Sequence, residues 1–174
     1  VFGPTSSQWG EEVERVDAEL ARLVASVPAD TAVYVTADHG MVEVPFTERI
    51  DLAAEPLLLD GVRHVGGEPR SVQLYCAPGA ADDVAARWRD RLGAQATVIL
   101  RDEAVLAGLF GAPEAVAERV LPRIGDVIVN CVGDVAVVDT VRMRAELLGL
   151  LGLHGSVSDD ETAIPLFRWP ARTA

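Results

Sequence analysis

An aspartate and a histidine stand side by side where an apolar segment of the chain ends. The letters TAVYV lead into TADHGM at residues 36–41, which sets Asp38 and His39 at the end of a predicted strand. A carboxylate oxygen and an imidazole nitrogen are ordinary zinc ligands, and Gly40 lets the backbone turn so that both side chains aim at one point. Because Asp-Gly and His-Gly pairs are also common in polar turns, this segment by itself leaves a metal site and a simple turn equally open.

A second histidine lies far along the chain, in the segment HGSVSDDETAIPL. His154 follows a predicted helix and precedes Gly155 and Ser156. Its separation from His39 is too long for local geometry to link the two, so only a tertiary fold could bring them together. Taken alone, His154 is better interpreted as a capping or loop residue.

The elements around the first motif predict an α/β unit. Residues 6–28 carry apolar side chains at helical spacing, with a serine at the start that can cap the helix and Glu11 and Glu12 in its first turn. Residues 31–37 follow as a strand without alternation, which predicts a central parallel strand buried on both faces. Ligands of open α/β sheets bind beyond the carboxyl ends of the strands, which is where Asp38 and His39 stand.

The pattern changes after Pro45. Strands are predicted at RSVQLYC and ATVIL, helices at AADDVAARWRDRL, DEAVLAGLF and PEAVAERV, and a hairpin between DVIVNCV and VAVVD. We therefore predict an α/β fold, in which residues 51–139 form a small inserted α+β subdomain. Residues 1–50 and 140–174, including a helix at TVRMRAELLGLLG, would form the wound core.

Composition excludes several classes of function. The formal net charge is −12, which disfavours nucleic-acid binding, and all 15 basic residues are arginine, so no lysine can serve a P-loop or a Schiff base. Cys76 and Cys131 form no metal or redox motif, which favours buried free thiols in a reducing, cytoplasmic compartment. We find no signal peptide and no apolar run of membrane-spanning length.

The two histidine segments together are more specific than either alone. TADHGM after an apolar strand, with a late HG followed by an acid and IPL, resembles the alkaline phosphatase superfamily, and within it the type I phosphodiesterase and nucleotide pyrophosphatase family. The opening GPTSSQWGEEVERVDAEL is similar as well, through Gly3, Pro4, Asp17 and Leu20. The segment GGEPR at residues 66–70 also looks like bacterial members.

This resemblance implies a hydrolase of phosphodiester or pyrophosphate bonds that uses two divalent metal ions, usually zinc. By resemblance, Asp38 and His39 would bind the ion that activates a threonine or serine nucleophile, and His154 would bind the other. The family's nucleophile and further ligands lie upstream of the DHG segment, in positions that this chain does not contain. We therefore expect a carboxyl-terminal portion, inactive by itself, whose partners are a phosphate-ester or nucleotide substrate and the missing amino-terminal portion.

Other interpretations stay open at this stage. A sister phosphatase or phosphomutase of the same superfamily would carry the same ligands, and a non-catalytic α/β binding module would use DHG only as a turn. His64 and Arg70 could contact substrate or phosphate, although a glycine turn before a strand explains them equally well. Trp88 among arginines is better explained by a packed helix than by a stacking surface.

Overall fold

A computed structural model describes residues 2–171 of the chain. Val1 and residues 172–174, which belong to the two ends of the predicted core, lie outside the described residues. The helices are α1 (Ser7–Ser26), α2 (Ala81–Leu92), α3 (Arg101–Leu106), α4 (Ala145–Leu148) and α5 (Asp159–Thr162). The strands are β1 (Val33–Thr36), β2 (Val42–Glu43), β3 (Arg49–Asp51), β4 (Val62–Glu68), β5 (Ser71–Cys76), β6 (Ala96–Leu100), β7 (Val127–Cys131), β8 (Ala136–Val138), β9 (Gly152–Leu153) and β10 (Leu166–Trp169).

The largest sheet contains four antiparallel strands in the order β4-β5-β7-β6. Strand β7 lies inside it and is buried along its whole length. Val127 and Val129 face a core cluster on one side of the sheet, whereas Ile128 faces a second cluster on the other side. This strand therefore shows the burial on both faces that the sequence predicted for residues 31–37.

Helix α2 covers one face of this sheet. Asp82 and Asp83 lie in its first turn, and Arg89 and Arg91 in its last, which suits the helix dipole at both ends. Trp88 is fully buried, and its indole N–H donates to the carbonyl oxygen of Leu58 at 2.8 Å. The prediction that Trp88 packs in the core is confirmed.

The prediction for the first strand was wrong. Strand β1 pairs antiparallel with β10, and its residues alternate between half-buried and exposed, with Tyr34 60% exposed. The run of apolar letters hid this pattern, because a tyrosine and a threonine on one face can remain in contact with solvent. Helix α1 forms as predicted and is capped by Ser6, but it has no buried residue, and Glu11 and Glu12 fall beyond its first turn.

Three further predictions were wrong in detail. Strand β8 forms no hairpin with β7 but pairs in parallel with β3. The segment PEAVAERV forms 3-10 turns, and TVRMRAELLGLLG contains only the short helix α4. In these segments apolar spacing favoured a helix, but Pro122 and the glycines at 149 and 152 interrupt it.

Strands β1 and β5 lie in different sheets. The division into a core and an insertion at residues 51–139 stays a prediction. Within the described part of the chain, no helix combines the length and the apolar character needed to cross a membrane.

We predict that Trp88→Ala lowers the free energy of unfolding by about 3–5 kcal/mol, because it removes a large buried side chain and leaves a cavity. Urea denaturation followed by circular dichroism measures this change. Trp9→Ala is the matched control, since Trp9 is 40% exposed on α1 and should change stability by no more than about 0.5 kcal/mol. Equal losses in the two variants would contradict the core described here.

Candidate metal centre

The short strands β2 and β9 bring the two histidine segments together. Strand β2 begins just after the DHG segment, β9 ends just before His154, and the two pair antiparallel with Val42 opposite Leu153. This register carries His39 and His154 toward each other from opposite directions. Their rings are stacked, with centroids 3.6 Å apart and planes inclined by 15°. The structure thus brings together two residues that no local spacing could connect.

Asp38 and His39 offer two ligand atoms in one direction. The Nδ1 atom of His39 lies 2.7 Å from the carbonyl oxygen of Gly40, which leaves Nε2 as the free nitrogen. This Nε2 atom lies 3.7 Å from Oδ2 of Asp38. Two ligand atoms of one tetrahedral zinc ion, each at about 2.0–2.1 Å from the metal, would be about 3.4 Å apart. The pair therefore fits a single divalent ion after a small adjustment.

The electrostatics of Asp38 also suit a cation ligand. Hydrogen bonds from the backbone N–H groups of Asp38 and His39 hold the pKa of the Asp38 carboxyl below its ordinary value. The neighbouring His39, and more weakly His154, lower this pKa further. The side chain is exposed and ionised at neutral pH, so a cation could reach it.

His154 faces a different position from His39. An imidazole nitrogen donates its lone pair within the plane of its ring, so a bound ion lies in that plane. The planes of two stacked rings that are inclined by only 15°, with centroids 3.6 Å apart, do not meet within a zinc–nitrogen distance of about 2.0–2.1 Å. The stacked rings consequently suit two neighbouring ions better than one shared ion. Oε2 of Glu68 lies 4.0 Å from Nε2 of His154 and adds negative charge on this side.

Three candidate ligands would make only part of a two-metal centre. Among residues 2–171, no group of three or more His, Cys, Asp or Glu side chains is arranged to hold a metal ion. Asp38, His39 and His154 therefore fit the ions in chemistry and in the spacing of their atoms, but they would need ligands from elsewhere to complete either site.

Arg70 does not serve as a phosphate ligand, which corrects one of the weaker sequence hypotheses. It is fully buried and forms a bidentate ion pair with Glu161, with Nε–Oε1 at 2.8 Å and Nη2–Oε2 at 3.0 Å. Its Nη1 group donates to the carbonyl oxygens of Gly133 and Val135 at 2.8 and 2.7 Å. With these buried partners the guanidinium is not accessible to a phosphate group of a substrate.

Glu161 is the residue of this network that sequence reasoning missed. Burial by itself would raise the pKa of its carboxyl, but hydrogen bonds from Arg70, Ser158 and the N–H of Ser156 hold the pKa below its ordinary value. Ser156 also donates its hydroxyl to the carbonyl oxygen of Cys131 at 2.7 Å. The acid after the late HG segment was visible in the sequence, but its arginine partner was not.

A cavity of about 510 Å³ lies beside His154. Its wall is mostly apolar, with a few polar groups at the edge, including Glu68 and the ion pair between Arg142 and Asp139. This combination of an apolar wall with a small number of polar groups is typical of sites for small organic molecules.

His64 and the hydroxyl groups of Thr36 and Ser6 do not belong to the candidate metal centre. His64 lies exposed on β4, and its nearest aromatic neighbour is Tyr75, with ring centroids 5.8 Å apart. Thr36 is exposed at the end of β1, and its hydroxyl lies near the carbonyl oxygen of Ala37. The hydroxyl of Ser6 caps helix α1, as the sequence predicted.

Comparison with known proteins identifies the family. The family model described as type I phosphodiesterase / nucleotide pyrophosphatase matches residues 1–156. The chain belongs to this family. The resemblance drawn from the DHG and HG segments is thereby confirmed. A search of curated proteins gives no match.

Solved structures with the same fold come from two kinds of enzyme. Human ectonucleotide pyrophosphatase/phosphodiesterase 5 matches with a TM-score of 0.65 and 19% identity over 95% of this chain. An inactive variant of the murine protein in complex with AMP gives a TM-score of 0.68 and 18% identity over 97% of this chain. Phosphonoacetate hydrolase from Sinorhizobium meliloti 1021, in complex with phosphonoformate, gives a TM-score of 0.66 and 21% identity over 96% of this chain.

These likenesses confirm that the chain has an α/β fold, which it shares with these proteins. In each case the matched region makes up 42% of the other protein's chain. The present chain therefore spans less than half the length of the structures it resembles.

We predict that Gly40→Ala separates the DHG segment from α5. A Cβ atom at this position would lie 1.9 Å from the carbonyl oxygen of Asp160, which is far too close. The loop must shift, so the stacking of the two histidine rings should be lost and stability should fall by about 1–3 kcal/mol. Ring–ring cross-peaks in NMR spectra and thermal denaturation measure the two effects.

The control for this substitution is Gly10→Ala on the exposed surface of α1. An added Cβ there meets nothing within 4 Å, so this variant should be unchanged at the site and more stable by about 0.5–1 kcal/mol. Intact ring stacking in Gly40→Ala would contradict the described packing of the DHG segment.

We also predict that stability falls with acid in a way that depends on Glu161. Because the pKa of this carboxyl is lowered on folding, its contribution is present above the ordinary value of 4.5 and is lost as pH falls through the folded value. Urea denaturation between pH 7 and pH 3 should show a weaker pH dependence in Glu161→Gln than in the wild type. Parallel curves for the two proteins would contradict this assignment.

Proposed function

We propose that the chain supplies one side of the metal centre of a hydrolase that cleaves phosphodiester or pyrophosphate bonds. The observation that carries the proposal is the stacked contact between His39 and His154, at a centroid distance of 3.6 Å. Asp38 and His39 would hold one divalent ion, most suitably zinc, and His154 would hold a second. When bound, such ions polarise phosphoryl oxygens and neutralise the charge that develops on them.

The chain's own residues would orient these ligands and shape the entrance. The carbonyl oxygen of Gly40 fixes the His39 ring so that Nε2 remains free for an ion. On the other side, the Glu68 carboxylate lies near His154 and attracts cations toward it. The apolar cavity next to His154 offers room for the organic group of a phosphoester, which the ions alone would not recognise.

We also propose that the nucleophile and the remaining ligands are contributed by an amino-terminal portion of the same protein. Helix α1 leaves apolar side chains exposed, among them Trp9, Val13 and Val16, and β10 exposes Leu166 and Phe167. Large apolar side chains exposed in such number on two elements normally pack against another element. In this proposal the missing portion covers them, and the complete protein acts on a phosphate-ester or nucleotide substrate in the cytoplasm.

Zinc binding tests the ligand assignment. Because the ligand set of the chain alone is incomplete, we expect the wild type to bind Zn²⁺ weakly, as measured against a chromophoric chelator of low affinity. Asp38→Asn, His39→Ala and His154→Ala should each weaken this binding by a further factor of at least about 10. His64→Ala is the matched control and should bind as the wild type does. Wild-type affinity in all three site variants, or loss only in His64→Ala, would overturn the assignment.

Hydrolysis of bis-p-nitrophenyl phosphate tests the reaction. The chain alone, loaded with Zn²⁺, should give no turnover above background, whereas a longer form with the upstream segment should be active and lose activity in His39→Ala. A preference of that longer form for p-nitrophenyl phosphate would instead favour a phosphomonoesterase. Turnover by the chain alone that disappears in His39→Ala would contradict the proposed division of labour and require a nucleophile within these residues.

A further inference from the structure

The ion pair between Arg70 and Glu161 contacts the loops of both histidines, although neither residue is a proposed metal ligand. Both side chains are almost fully buried, at 0% and 3% exposure. Each of the two residues also offers its backbone to one of the histidine segments. Hydrogen bonds therefore connect the loop of His39 to the loop of His154 through this ion pair.

Arg70 holds the His154 segment against the four-stranded sheet. Its backbone N–H donates to the carbonyl oxygen of His154 at 3.3 Å, and its own carbonyl oxygen accepts from Cys131 on β7 at 2.8 Å. Its guanidinium is anchored to the turn after β7 through Gly133 and Val135. The position of His154 is thus tied to the most buried strand of the structure.

Glu161 holds the segment that contains His39. Its carbonyl oxygen accepts from the N–H of Gly40 at 2.8 Å, directly after His39. Its carboxylate accepts from the N–H of Ser156 at 2.9 Å, two residues after His154. One residue therefore contacts both histidine segments, and Arg70 connects it to the sheet.

We propose that Arg70 and Glu161 are positioning residues, which hold His39 and His154 at the separation that two neighbouring ions require. The bidentate geometry matters, because a planar guanidinium fixes the orientation of the carboxylate whereas a lysine ammonium does not. The inference rests on the proposed function for the role of the histidines as ligands. The positioning itself can be measured without any metal.

The test is Arg70→Lys, which keeps the positive charge but removes the planar guanidinium and its bidentate contact with Glu161. NMR with labelled histidine follows cross-peaks between the His39 and His154 rings, with the exposed His64 ring as an internal reference. The indole signal of Trp88 reports whether the core remains folded. We expect that signal to persist, the ring–ring cross-peaks to disappear, and Zn²⁺ affinity to fall by about 10–100-fold, as for other residues that orient a ligand.

The matched control is Arg91→Lys. Arg91 also forms a bidentate pair, with Glu55, but on the exposed side of α2. This variant should keep the cross-peaks and the wild-type Zn²⁺ affinity. If it changes them as much as Arg70→Lys does, the effect is not specific to the buried pair and the proposal fails.

A second variant, Arg70→Met combined with Glu161→Leu, replaces the pair with apolar side chains of similar volume, which buried ion pairs often tolerate. We expect a folded protein without the ring–ring contact. Intact cross-peaks in both variants would overturn the proposal, as would loss of the Trp88 signal in both, because the pair would then hold the whole fold. A wild-type chain with cross-peaks but no Zn²⁺ binding would refute the proposed function and leave the positioning role supported or refuted by the NMR data alone.

Discussion

A buried ion pair between Arg70 and Glu161 connects the parts of the structure on which the candidate centre depends. Removing two charges from water costs free energy, and this cost is offset only where the geometry is good and the remaining donors and acceptors are satisfied. Both conditions hold here, since the carboxylate accepts from the guanidinium, from Ser158 and from the backbone of Ser156. The pair joins the sheet, the loop after β9 and the helix that packs on Gly40, so each histidine segment has a fixed neighbour.

The centre itself follows from backbone geometry rather than from local sequence. Antiparallel pairing of β2 with β9 sets the direction in which each histidine approaches the other. The hydrogen bond from the N–H of Gly40 to the carbonyl oxygen of Glu161 fixes the position of the His39 segment against α5. The outcome is a pair of stacked rings whose lone pairs lie in separate planes. Enzymes that transfer or hydrolyse phosphoryl groups with two metals use two nearby but separate ions. The family to which the chain belongs is described as type I phosphodiesterase / nucleotide pyrophosphatase.

The sequence predicted the family from its DHG and HG motifs and the first helix from its apolar spacing and its capping serine. The meeting of His39 with His154 was implied by the family resemblance, because no local spacing connects the two residues. Prediction from the sequence failed where neighbours decide the structure. Residues 31–37 and the segment VIVNC are both apolar runs, yet only the second is buried on both faces, because only it has paired strands on either side within the described residues. Glu161 was one acid among several after the late HG segment, and its partner Arg70 was left open between a phosphate contact and a glycine turn. No pattern in the chain connects an arginine to a carboxylate 91 positions away.

The most direct test of the metal centre is the location of bound zinc. Anomalous diffraction at the zinc edge, recorded from crystals of the chain grown with Zn²⁺, reports where the ions lie without reference to activity. We expect anomalous density beside Asp38 and His39, with a second, weaker position beside His154 about 3.5–4 Å from the first. Zinc bound at His64 or at the cysteines, with none near the stacked rings, would contradict it.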